Sequence, residues 1–196
     1  MNYHIRGSVL ITTAFLLGFT FAGKNSVRNG DFEKFNGNEP VGWETTNLGK
    51  MLTVVTPSLK AHMGTRAVRC EVKTSFGSPM PGMITQKSIP LDGELLQLSL
   101  YYVLTSVGKD AGWVAVDFQS DEGSTVGIWQ HALTSLSSDF TLFRVVTRKP
   151  VTATHGELRV TLMPDKEGGR LHDGSNILID DIEFVPLTSP KDGPVP

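Results

Sequence analysis

Leu95-Leu96-Gln97-Leu98-Ser99-Leu100-Tyr101-Tyr102-Val103-Leu104-Thr105 carries a continuous apolar stripe with a period of two. Leu96, Leu98, Leu100, Tyr102 and Leu104 share one face of an extended chain, and Gln97, Ser99, Tyr101 and Val103 share the other. Such a segment is a strand that buries one face and leaves the other partly free. The same reading extends outward to Trp113–Gln119. There Val114, Val116 and Phe118 form the core stripe, and Trp113, Ala115, Asp117 and Gln119 form the opposite face. In Glu157–Met163, Leu158, Val160 and Leu162 point inward and leave Arg159 and Thr161 outside. Val68, Cys70 and Val72 share a face in the same manner.

Further strands are expected at Ser26–Phe32, Met51–Pro57, Arg66–Lys73, Gly82–Ile89, Val126–Leu133, Phe140–Arg148 and Asn176–Val185, with Gly, Pro, Asp and Ser between them. No segment sustains a 3.6-residue apolar period over three turns, so little helix is expected. Many antiparallel strands in one domain imply two packed sheets. The fold class is therefore all-β, a two-sheet antiparallel β-sandwich or jelly roll.

Composition excludes several functions. The formal net charge is −2, from 18 Lys+Arg against 20 Asp+Glu, so no basic field is present to hold a nucleic-acid backbone. One cysteine rules out an intramolecular disulfide framework and a multi-Cys zinc site. Cys70 reads as a small core hydrophobe. His4, His62, His131, His155 and His172 show no metal-ligand spacing, and no G-x-S-x-G, P-loop or dinucleotide glycine pattern occurs. Asp121 and Glu122 belong to a hairpin turn, and Lys166–Gly174 is a polar loop before the last strand.

Residues 1–22 read as a secretory signal peptide. Arg6 precedes the uncharged run Ser8–Phe21, with Thr20 and Ala22 as the small residues before the cut. The run is shorter than the ~20 residues a membrane helix needs, so after cleavage no membrane partner is expected. The domain is then 23–186, with a proline-rich tail over 187–196 that is expected to be disordered.

The outer faces of the strands mix aromatic rings with amides, a carboxylate and a guanidinium. A sugar ring offers an apolar C–H face for stacking and a rim of hydroxyls that both donate and accept, so this mixture suits carbohydrate. Tyr101 and Trp113 are the candidate stacking rings. Gln97, Asp117, Gln119 and Arg159 are the candidate hydrogen-bonding groups.

The two ends of the domain carry recognisable words. They are Asn29-Gly30-Asp31-Phe32-Glu33, then Pro40-Val41-Gly42-Trp43, Gly64-Thr65-Arg66-Ala67, and Ile179-Asp180-Asp181-Ile182 in the last strand. In this order they resemble the galactose-binding-like jelly rolls, in particular the carbohydrate-binding modules of families 4, 9 and 22. The resemblance covers about Ser26 to Val185. It implies a non-catalytic protein that binds poly- or oligosaccharide on a concave sheet face, with the central-strand aromatics Tyr101 and Trp113 side by side. Trp43 is expected to be structural, whereas alternation leaves the face of Trp129 open.

Jelly-roll first and last strands pair, which would bring Asp31 or Glu33 towards Asp180 or Asp181. Gathered carboxylates repel unless a cation or hydrogen-bond donors intervene. The resemblance implies a structural Ca²⁺ held by Glu33, Asp31 and the Asp180–Asp181 pair, with backbone oxygens from around Gly64 and Thr65. A hydrogen-bonded carboxylate cluster without metal is the alternative. For function, the alternatives are an adhesive domain contacting protein or cell-surface partners, and a β-sandwich glycosidase or polysaccharide lyase.

Overall fold

The computed structural model describes residues 23–166 and 168–187. The leader expected over 1–22 and the part of the tail from 188 onward lie outside the described residues. Within them the chain forms strands and turns and no helix. The period-two stripes become two antiparallel sheets facing one another.

The five-stranded sheet has the order β10 (Thr125–Leu133), β9 (Ala111–Gln119), β12 (His155–Met163), β7 (Met83–Pro90) and β3 (Glu44–Thr45). The six-stranded sheet runs β11 (Thr141–Arg148), β8 (Leu95–Thr105), β13 (Asn176–Leu187), β5 (Ala67–Ser75) and β4 (Val55–Ser58), with β6 (Ser78–Pro81) paired on β5. A small hairpin of β1 (Phe35–Asn36) and β2 (Glu39–Pro40) stands apart. Between the sheets lie Leu96, Leu98 and Leu100 from β8, with Val114, Val116 and Phe118 from β9. Leu158, Val160 and Leu162 from β12 join Val68, Cys70 and Val72 from β5 and Ile177, Ile179 and Phe184 from β13. All the inward stripes read from the sequence are in this core. Burial pushes the Cys70 thiol far above its ordinary pKa, so it stays a neutral core group.

Three expectations need correction. Ser26–Phe32 is a chain of turns instead of a strand. Asn29 and Phe32 both have positive φ (49° and 47°), which takes the chain out of the extended conformation at both places. Asn29 instead anchors the loop: its Nδ2 donates to the Lys34 and Val41 carbonyls at 3.0 Å each, and its Oδ1 accepts from Lys34 N at 3.1 Å. The expected strand over Met51–Pro57 is reduced to Val55–Ser58, because Asn47 Oδ1 takes the N–H groups of Val54 and Val55 at 2.8 Å. Pro186 and Leu187, assigned to the border of the tail, continue β13 and pair with Leu96 and Leu95.

Trp43 is structural, as expected. It is buried, packs on Phe32 with ring centroids 5.3 Å apart, and donates Nε1–H to the Arg28 carbonyl at 3.1 Å. The turn 29–32 leans on an irregularity in β13. Between Asp180 and Glu183 the register with β8 slips, so that Asp181 and Ile182 both oppose Leu100. Asp181 holds φ at +48° there. The slip lets Ile179, Ile182 and Phe184 all point inward despite their uneven spacing. Ile182 N donates to the Gly30 carbonyl at 2.9 Å, outside the ladder.

Candidate functional site

The outer face of the five-stranded sheet gathers Trp113, Ala115, Asp117 and Gln119 from β9, each half-buried and alternating with the buried Val114, Val116 and Phe118. Register then sets the neighbours. Glu157 of β12 lies opposite Asp117, Arg159 opposite Ala115 and Thr161 opposite Trp113. On the other side Gln130 of β10 lies opposite Ala115 and Ala132 opposite Trp113. A shallow groove of about 210 Å³ runs over this face, lined by Met83, Trp113, Ala115, Gln130, Arg159, Thr161 and Met163.

Arg159 crosses the face diagonally. Its Nη2 donates to Asp117 Oδ2 at 2.6 Å, and its Nε stands 3.9 Å from Glu157 Oε1, an ion pair without a hydrogen bond. Asp117 Oδ1 and Arg159 Nε are shielded by protein and have no hydrogen-bond partner among the described residues. Leaving such atoms unpartnered costs about 1–3 kcal/mol each.

Four of the six candidate binding residues therefore share this face: Trp113, Asp117, Gln119 and Arg159. Tyr101 and Gln97 do not. They lie on β8, in the other sheet, and their inward neighbours Leu98, Leu100 and Tyr102 fill the core. Each ring sits on the exterior of its own sheet, so Trp113 and Tyr101 occupy opposite faces and cannot stand side by side. Alternation gives the face of a residue within its sheet but not which sheet the strand joins. Gln97 is also almost fully buried.

Trp129 and His131 pair with Val116 and Val114 and therefore face inward, where they meet Phe143 with centroids 6.2 and 5.0 Å away. A register shift between Thr125 and Gly127 decides this parity. Glu157 and Gln130 escaped the reading. Alternation already put Glu157 beside Arg159, whereas Gln130 needed the hairpin register.

Tyr101 lines a larger pocket, of about 510 Å³, on the exterior of the six-stranded sheet. Its ring stacks on His62 at 3.5 Å with planes 12° apart, and His62 Nδ1 is 2.7 Å from Asp181 Oδ2.

No family model matches the chain, and no curated protein does. Solved structures do. The enzymatically active domain of Bacteriophage CBA120 tailspike protein 4 aligns with a TM-score of 0.62 and 19% identity over 84% of this chain, which spans only 21% of that one. The CBM22-1 xylan-binding domain of Paenibacillus barcinonensis Xyn10C gives 0.55 and 13% identity, covering 87% of this chain and 99% of its own. TmCBM61, solved with beta-1,4-galactotriose, gives 0.51 and 18%, covering 82% and 97%. The chain has the two-sheet β-sandwich fold of these solved carbohydrate-binding modules.

Within this fold Glu33, Asp180 and Asp181, three of the four carboxylates expected to hold calcium, are each engaged by donors of the chain. Glu33 accepts from Thr65 N at 2.7 Å, Thr65 Oγ1 at 2.7 Å and Arg66 N at 3.0 Å. These bonds, the hydroxyl foremost, hold its carboxyl below the usual range. Gly64 makes the approach possible: φ is +67°, and a Cβ there would run into Glu33 Oε1. Asp180 accepts from His62 N at 2.8 Å, Met63 N at 3.3 Å and its neighbour Asp181 N at 2.9 Å. Asp181 pairs with His62, and Asp31 lines the Tyr101 pocket.

Among the described residues no three metal-ligating side chains converge. The turn over 62–66 offers N–H groups to Glu33 and Asp180, a donor set that satisfies carboxylates and repels a cation. The geometry thus fits the hydrogen-bonded cluster. Accordingly, adding EDTA or millimolar Ca²⁺ is expected to leave the melting temperature within about 1 °C; a larger rise with Ca²⁺ would restore the metal.

Burial pushes the Asp180 carboxyl up from 3.8 to about 6, helped by the charge of Asp181 and opposed by the three N–H donors. Between those values the folded chain holds a proton that the unfolded chain releases. Stability therefore increases as pH falls from about 6 towards 3.8, and is lost as pH rises through about 6. Relative to Asp180→Asn, the wild type should gain about 1–2 kcal/mol between pH 7 and pH 5. Parallel stability-versus-pH curves for the two proteins would refute this.

Proposed function

We propose that the protein binds uncharged poly- or oligosaccharide, without cleaving it, in the groove of the five-stranded sheet. Trp113 stacks on a sugar ring, while Asp117, Gln119 and Arg159 hydrogen-bond the hydroxyls. The observation that carries this reading is the groove itself, in which the Trp113 ring shares one face with the polar side chains of Gln130, Arg159 and Thr161. An amide, a guanidinium and a hydroxyl beside one ring give a sugar's hydroxyls both donors and acceptors. The likeness to a xylan-binding domain and to a galactotriose-bound module supports the same class of ligand.

The basic start and short apolar run of residues 1–22 support export, which would place the domain where polysaccharide is met. A neutral ligand releases no counterions, so affinity should change little with salt. Affinity electrophoresis against xylan, β-glucan and galactan tests the reading: retardation by at least one is expected. Mobility unchanged by all three would refute it, and release of soluble products from any of them would make the protein an enzyme.

A further inference from the structure

The pocket on the exterior of the six-stranded sheet lies across the core from the groove and is more than twice its volume, about 510 against 210 Å³. Its floor is Ser99 and Tyr101 of β8, Arg144 of β11 and Glu183 of β13, and its walls are the turn ending at Asp31 and the His62–Met63 segment. The walls are firmly held. Asn25 Oδ1 accepts from Val27 N and Phe184 N at 3.0 Å each, and its Nδ2 donates to the Ile182 carbonyl at 3.1 Å. The His62 ring is fixed between Asp181 and Tyr101, with Phe140 at its edge.

What these fixed elements leave free is chemically balanced. Among the described residues, the Arg144 guanidinium, the Tyr101 hydroxyl and His62 Nε2 have no protein partner, and the Asp31 carboxylate has none either. Glu183 has only a long contact to Ser99 Oγ, at 3.4 Å. Donors and acceptors thus face one another across a space typical of small-ligand sites, roughly 300–1,000 Å³. A hydroxyl needs both at once, which a mixed set supplies. Carboxylates outnumber the guanidinium, so a uronate, sulfate or phosphate would meet repulsion.

We infer that this pocket is a second carbohydrate site, built for one or two uncharged sugar residues and independent of the groove. It rests on the carbohydrate reading of the groove and adds a second point of attachment on the opposite side of the sandwich.

The test is an NMR titration of the ¹⁵N-labelled protein with xylohexaose, cellohexaose and β-1,4-galactotriose, and with trigalacturonate as the charged control. For at least one neutral probe two separate sets of amides should move: one around Trp113, Gln130 and Thr161, the other around Gly30, His62 and Met63. Trp113→Ala should erase the first set and leave the second. Arg144→Ala, at an exposed side chain, should weaken the second at least fivefold and spare the first; Tyr101→Phe keeps the ring stack and should also weaken it. Shifts confined to the groove, or a second set indifferent to both pocket variants, overturn the second site while leaving the groove intact. Trigalacturonate binding in the pocket overturns the uncharged class. Silence towards every neutral probe overturns both readings together.

Discussion

Trp113→Ala is expected to lower affinity for the preferred neutral oligosaccharide in the groove at least tenfold, with the melting temperature within about 2 °C of wild type. The ring lies between Thr161 and Ala132, two small neighbours that leave its exposed face clear for a ligand. A sugar ring set against it removes apolar area from water on both partners, worth about 1.5–3 kcal/mol, and each 1.4 kcal/mol is tenfold in affinity. The core beneath is closed by Val114 and Val116 without help from the indole, so stability changes little. Trp129→Ala is the matched control. That ring turns inward on Phe143, so its loss should lower the melting temperature and leave groove affinity unchanged. Unaltered groove affinity in Trp113→Ala, read by isothermal calorimetry, would move the site elsewhere.

Gly30→Ala should be among the most damaging single methyl additions, costing roughly 3 kcal/mol or more in stability. Gly30 does not have positive φ, so conformational freedom is not the reason. Contact is. A Cβ at this position would overlap the Ile182 carbonyl, and Val27 crowds it from the other side. Backbone cannot rotate aside as a side chain can. The methyl must either push the 29–32 turn off β13, losing the Ile182 N to Gly30 O bond, or disturb the slip around Asp181. Urea unfolding reads the effect directly; a variant within about 0.5 kcal/mol of wild type would show that the two segments can part cheaply. Because Ile182 and Asp181 also border the Tyr101 pocket, the second sugar-dependent set of amide shifts should be lost together with stability.

That contact explains why two distant words of sequence announce the fold together. Asn29-Gly30 supplies a tight turn with no side chain on its inner surface, and Asp180-Asp181-Ile182 supplies the surface it presses on. The period-two stripes of β8, β9 and β12 were equally legible, since each needs only the alternation of one strand. Pairing was not. Trp113 and Tyr101 both read as outward rings on neighbouring strands, yet β8 and β9 join different sheets. Nothing in a ten-residue pattern records that crossing. Gln130 and Trp129 depended on the shift after Thr125, where one residue more or less exchanges the two faces. His62 was legible only as a histidine without metal spacing. Its stacking on Tyr101 comes from a turn folded over β13, a contact between segments more than 30 residues apart in the chain.

The doubled position opposite Leu100 has a consequence for how this chain tolerates changes of length. Elsewhere in β13, removing one residue would turn every later inward side chain towards solvent, Phe184 included. At Asp181 the opposite holds. Without it Ile182 would face Leu100 alone, the ladder would run unbroken from Asp180 to Glu183, and Ile179, Ile182 and Phe184 would stay inside. The deletion would also discard the residue held at φ +48°. The price is the anchor of His62. The last strand can thus shorten by one residue without turning its core face outward, and a relative lacking that residue would keep the sandwich while losing the wall of the Tyr101 pocket.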